Sequence, residues 1–246
     1  MFNTEVLLMK NCTNVILGTA LLSLYSCGMN GDHSNSFTSK SLFTTEKGFY
    51  EAKLLPINSH LAGDVGGSAL LKLKDDQLMV EVKVNGAPSQ MMHGQKIHLS
   101  DECPTLVSDT NKDGIIDAAE GMKSYGPAVI PLDFELKTQF EKEVKFPVTD
   151  FSGDYYYQQT VSVLEMMKDL AKVDENLSDG TVKIKSRFDL EGKQVVIYGV
   201  DETVSLPDSV AALDGDSRQS SLPIACGTLI KIAVPDDENT TNGGKD

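Results

Sequence analysis

Tryptophan is absent from this 246-residue chain, and histidine occurs only 4 times. The first absence removes the indole platform on which sugars stack. The second restricts metal chemistry that depends on several imidazoles. Basic residues are also scarce: 22 Lys and Arg stand against 36 Asp and Glu, a net charge of -14. Nucleic acid and anionic lipid surfaces are bound through clustered positive charge, so this balance argues against both as partners and favours cations. Long apolar runs are missing too. The longest, VILGTALLSL at 15–24, is too short to cross a bilayer. No phosphate-cradling glycine loop and no Ser/His/Asp set with meaningful spacing is visible.

That short apolar run suits the core of a secretory signal. It leads into LYSC, which looks like a bacterial lipobox, so residues 1–26 are expected to be a lipoprotein signal peptide, with Met1 or Met9 as its start, and Cys27 the lipid-bearing first residue of the mature chain. Gly28 after the cysteine points to the outer membrane, on its periplasmic or surface side. Residues 27–48 are polar and small and read as a flexible tether, and 235–246 as a disordered tail. With Cys12 leaving in the signal and Cys27 lipidated, Cys103 and Cys226 remain. An even remainder in an oxidising compartment favours a disulfide over two unrelated buried thiols.

Between these ends, 49–234 reads as one mainly β domain. ALLKLK at 69–74 and LMVEVKV at 78–84 alternate apolar and polar residues, with DDQ between them as a hairpin turn. AVIPLDFEL at 128–136 is expected to be extended, with its proline at an edge or bend. SGDYYYQQTVSV, VKIKSRF, KQVVIYGV and TLIKIAV supply further strands, and VSVLEMMKDLAKV at 161–173 carries the spacing of a helix. Many short strands around one inserted helix predict a Greek-key β-sandwich or barrel.

DTNKDGIIDAAE at 109–120 fits the twelve-residue calcium loop position by position. Asp109, Asn111 and Asp113 occupy positions 1, 3 and 5, Gly114 the sharp turn, the Ile115 carbonyl position 7, Asp117 position 9 and Glu120 the closing bidentate position. Several carboxylates in one short loop repel one another without a cation; the alternative is a solvated acidic turn. The flanks, HLSDECPTLVS and GMKSYGP, do not read as the helix pair of a calcium switch, so a structural clip is expected.

HGQKIH followed by Cys103, KQVVIYGV, and LPIACGTLIKI together resemble the Cu,Zn superoxide dismutase fold, and more closely secreted superoxide dismutase-like and CHRD-like bacterial proteins. CPT, the acidic loop with EG, and YGP fit the pattern of those bacterial relatives. The resemblance implies a Greek-key domain with an inserted calcium loop and a Cys103–Cys226 disulfide. It also implies a copper site, at which this chain departs from the family. His98 matches one ligand, Lys96 stands at another, Tyr198 stands where a third histidine belongs, and no histidine follows His98. A protonated lysine offers no lone pair, so the ligand set is incomplete, which argues against dismutase activity and against copper and zinc. Lys96 is either a fixed positive charge at a relic metal position or a surface lysine. His93, on the opposite strand face, is expected to be a structural histidine bonded to backbone.

Two functional readings follow. One is a calcium-binding, membrane-anchored lipoprotein that presents a catalytically degenerate domain to an extracytoplasmic protein or ligand. The other is a weak periplasmic copper or zinc binder using His98, His93, His33 and His60, or a residual dismutase-type redox enzyme.

Overall fold

Val80, Val82 and Val84 are fully buried, while Glu81 and Lys83 between them are not. This is the period of two that a half-buried strand requires. The computed structural model describes residues 47–136, 145–166, 190–213 and 215–233, all within one compact unit, Lys40–Asp246. The expected signal, residues 27–46 of the expected tether, the tail at 235–246 and the VKIKSRF strand lie outside the described residues, whereas Gly48, expected to end the tether, opens the first strand opposite Leu73.

Among the described residues nine strands form the sheet: β1 Gly48–Pro56, β2 Gly66–Lys74, β3 Gln77–Asn85, β4 Gln95–His98, β5 Ala128–Pro131, β6 Tyr155–Ser162, β7 Gln194–Tyr198, β8 Pro223–Thr228 and β9 Ile230–Ile232. Their order is β5-β4-β7-β8-β1-β2-β3-β6, with β9 also beside β1, and every pairing is antiparallel. Helices among the described residues are short: α1 Ser59–Ala62, α2 Ala118–Tyr125 and α3 Arg218–Ser221, plus one turn at 163–166. None is long and apolar enough to cross a membrane. The molecule is thus mainly β, an antiparallel sheet curled into an open half-barrel.

Side chains link the two end regions of the curl. The Tyr155 hydroxyl on β6 donates to Gln95 Oε1 on β4 (3.0 Å), and Gln95 Nε2 donates to the Leu132 carbonyl just after β5 (2.7 Å). The Tyr157 hydroxyl donates to the Asp133 carbonyl. Inside the curl lies a continuous apolar core that includes Leu54, Leu71, Leu78, Val82, Ile97 and Ile224. β7 is buried on both faces: Val195 and Ile197 join this core, while Val196 and Tyr198 join a second cluster with Ile57, Ile116, Tyr125 and Cys226. The acidic loop and α2 form the cover over this outer face.

Three elements differ from the sequence expectation. The AVIPLDFEL strand ends at Pro131, because the Asp133 carboxylate turns the chain by accepting from the Glu135 and Leu136 amides (3.0 and 2.6 Å). The helix expected over 161–173 starts later: Val161 and Ser162 still pair with Leu78 and Gln77, helical residues run from 163 to 166, and the rest lies outside the described residues. The flank after the loop is helical: α2 takes in Ala118–Glu120 of the loop and GMKSY, and ends at Gly126. Asp117 and Glu120 cap it reciprocally, and the Tyr125 ring lies against Gly121, where a Cβ would come within 2.6 Å of Cε1.

Candidate functional site

The acidic loop is wound by its own carboxylates. Asp109 accepts from the Lys112 and Gly114 amides (2.7 and 2.9 Å), Asn111 Oδ1 from the Asp113 amide (2.9 Å), and Asp113 Oδ1 from the Ile115 amide (2.9 Å). Gly114 sits at φ 84, where a side chain would be strained. Asp117 caps α2 by accepting from the Glu120 amide (2.9 Å). Glu120 Oε1 receives the Thr110 amide and hydroxyl and the Asn111 amide at 2.7, 2.9 and 3.0 Å. Burial works to raise the Glu120 carboxyl, but hydrogen bonds from Asn111, Thr110 and Asp117 outweigh it and hold the group below its ordinary value. Asp113 is lowered in the same way, with Ser209, Ile115 and Asn111 as donors against a burial effect.

The six loop residues read from the sequence therefore lie in one wound segment, and the side-chain oxygens of Asp109, Asn111, Asp113, Asp117 and Glu120 all accept backbone amides. Among the described residues no group of three or more His, Cys, Asp or Glu stands in metal-holding geometry. The donor chemistry nevertheless suits a hard cation. Asp117 and Glu120 are only 2% and 4% exposed, and among the described residues no cationic side chain forms an ion pair with them. Amide and hydroxyl donors hold these carboxylates ionised but leave their negative charge uncompensated, and an all-oxygen set is what Ca²⁺ takes.

The loop is fastened to the body from outside. Asn58, just before α1, accepts from the Ile116 amide through Oδ1 (2.9 Å) and donates through Nδ2 to the carbonyls of Ile116 (2.8 Å) and Pro223 (3.0 Å). The Ala211 amide donates to Asp117 Oδ2 (2.8 Å), and the Ser209 hydroxyl donates to Asp113 Oδ2. Cys103, six residues before the loop, is joined to Cys226 on β8 (S–S 1.97 Å). An open groove of about 860 Å³ runs beside these fastenings, lined by Asn58, His60, Cys103, Leu106, Ile116 and Ile230 among others.

Lys96 and His98 both meet Tyr198 on the outer sheet face. His98 Nδ1 donates to the Gly126 carbonyl (2.7 Å), which leaves Nε2 of the neutral ring to accept the Tyr198 hydroxyl (2.8 Å). Burial depresses the His98 imidazole to about 4, and the Gly126 carbonyl opposes this only in part. The nitrogen that a metal would need is thus engaged by a phenol. Lys96 Nζ lies 5.7 Å from the centroid of the Tyr198 ring. Burial lowers its ammonium, and the charge of Asp216 works the other way. His93 is fully buried elsewhere, with Nδ1 3.0 Å from the Tyr198 carbonyl and Nε2 2.8 Å from that of Pro88. His60 is exposed in the groove, and His33 lies outside the described residues. The four histidines read as a possible copper or zinc set are therefore not brought together among the described residues.

Neither a scan against protein-family models nor a search of curated proteins returns a match. Asn58, Tyr125, Ser209 and Ala211 are the contributors that sequence reasoning missed. Asn58 is an isolated asparagine 58 positions away from its partner Ile116, and no local pattern marks it.

Proposed function

We propose that this chain is a calcium-binding, membrane-anchored extracytoplasmic lipoprotein with a superoxide dismutase-like, catalytically degenerate domain that serves a binding or scaffold role. One observation carries the reading: a loop with the complete calcium pattern, wound and fastened to the body, holds two buried carboxylates that no cationic side chain among the described residues neutralises. Asp109, Asn111, Asp113, the Ile115 carbonyl, Asp117 and Glu120 would hold the ion, and Glu120 would exchange amide donors for it. The ion supplies positive charge and cross-linking. A lone loop without a paired helix unit fits an affinity of about 10⁻⁴ to 10⁻³ M, that of extracellular modules.

The absence of redox chemistry in this proposal rests on donors. His98 offers one imidazole, already bonded at both nitrogens, and Lys96 and Tyr198 replace the others of the family pattern. Export on the 1–26 signal, lipidation of Cys27 and residence at the outer membrane belong to the same reading.

Calorimetric titration of the metal-stripped protein tests it. Saturable heat with Ca²⁺ in the millimolar range and none with Cu²⁺ or Zn²⁺ is expected. Stoichiometric Cu²⁺ or Zn²⁺ binding without Ca²⁺ would overturn the proposal in favour of the transition-metal reading. For the anchor, fatty-acid labelling is expected in the wild type and lost in Cys27→Ala.

A further inference from the structure

We infer that Asn58 is a positioning residue that aims the Ile115 carbonyl into the acidic loop and thereby sets its affinity for Ca²⁺. The inference rests on the calcium reading above and assigns it a residue outside the loop pattern.

A carboxamide has the donor and acceptor layout of a peptide group. Asn58 uses both ends of it on one residue: Oδ1 takes the Ile116 amide at 2.9 Å, and Nδ2 gives to the Ile116 carbonyl at 2.8 Å. The second Nδ2 hydrogen goes to the Pro223 carbonyl at 3.0 Å, which ties the carboxamide to the start of β8. Both Nδ2 hydrogens and the Oδ1 acceptor are thus engaged in fixing Ile116 to the sheet. The consequence falls on its neighbour. In a planar trans peptide the C=O of one residue and the N–H of the next point in opposite directions. Holding the Ile116 N–H on the Asn58 side therefore directs the Ile115 C=O away from Asn58. Ile115 supplies the one backbone oxygen of the calcium pattern, and its orientation is the one ligand that no side-chain rotamer can correct.

The backbone of Asn58 is adapted to this role. It sits at φ 53, ψ 40, the left-handed region that asparagine tolerates better than most residues. Its own carbonyl receives the Leu61 and Ala62 amides at 2.8 and 3.1 Å, so α1 holds the residue from the other side. Among the described residues Ile116 pairs with no strand. Asn58 fills that place from a segment more than fifty residues earlier.

The test compares wild type with Asn58→Gly and Asn58→Asp in calcium titrations at about 0.15 M salt, where surface charge is screened. Thermal melts in EDTA run alongside. Glycine keeps the left-handed backbone without strain and deletes the carboxamide; aspartate keeps the acceptor for the Ile116 amide. Asn58→Gly is expected to fold in EDTA and to bind Ca²⁺ at least tenfold more weakly, while Asn58→Asp stays within a few-fold of wild type. Equal affinity in wild type and Asn58→Gly would overturn the inference and leave the calcium reading standing. Failure of Asn58→Gly to fold in EDTA would also overturn it, making Asn58 a determinant of the fold. No binding by the wild type would sink both.

Discussion

β7 separates two kinds of interior. On its inner side Val195 and Ile197 join an apolar core that spans the curl of the sheet. On its outer side Val196 and Tyr198 meet a small cluster assembled from Ile57, Ile116, Tyr125 and the disulfide. The inner core gains from the removal of apolar area from water, which has no direction and tolerates substitution of similar volume. The outer layer buries too few apolar groups for that. It is held by a covalent bond, by the Asn58 carboxamide and by the His98 hydrogen bonds to Gly126 and Tyr198. Directional bonds fix one geometry, and they fail singly. The candidate site lies in the layer that is built this way.

Loss of the disulfide should show the dependence of the outer layer most strongly. The bond joins residues 123 apart in sequence, and a loop of that length corresponds to about 5 kcal/mol in the chain-entropy account. Denaturant unfolding of Cys103→Ser/Cys226→Ser is expected to lose stability of that order. A loss under about 1 kcal/mol would mean that the remaining hydrogen bonds suffice to hold the cover. Leu71→Ala, fully buried in the inner core, should cost about 3 kcal/mol by cavity formation and leave calcium affinity unchanged. A calcium defect in that variant would show that the two interiors are coupled.

The same contrast explains what the sequence discloses. The β2 and β3 strands are legible because Ala69, Leu71, Leu73 and Val80, Val82, Val84 point one way, and period two needs only neighbours in the chain. The loop is legible because its ligand types recur at fixed spacing. α2 is underestimated because its stability comes from the Asp117 cap and from the Tyr125 ring packed on Gly121, which a window average does not register. Asn58, Ser209 and Ala211 are invisible since their partners lie far away in sequence, and Asn58 looks like any loop asparagine. Tyr198 reads as a lost ligand in the strand pattern; the geometry gives it a partner in His98.

Acid should dismantle the outer layer before the inner core. Unfolded His98 titrates near 6.5, and burial holds it at about 4 in the fold. Between those values the unfolded chain binds more protons, so stability is present above 6.5 and falls as pH drops through the window, by about 3 kcal/mol at the lower end. His93 is lowered by burial and adds to the same slope. Urea unfolding at pH 7 and pH 4.5 is expected to show the loss in wild type and a smaller one in His98→Gln. A pH-independent midpoint would mean that His98 is solvated.

Lys96 offers the finest test. Its ammonium faces the Tyr198 ring at 5.7 Å with Asp216 as the charge that favours its protonated form. A cation over an aromatic face at a partly exposed site contributes about 0.5–1 kcal/mol. Lys96→Met keeps the length and apolar stem and deletes the charge, so a loss of that size in thermal or urea unfolding would assign the ammonium a place in the outer layer. If the charge matters to the His98–Tyr198 pair, the variant should also move acid unfolding to lower pH, because Lys96 is among the groups that hold the folded His98 imidazole down and its removal narrows the gap to the unfolded value. An unchanged melting point together with an unchanged acid midpoint would make Lys96 a lysine whose stem covers the sheet while its charge does nothing for the fold.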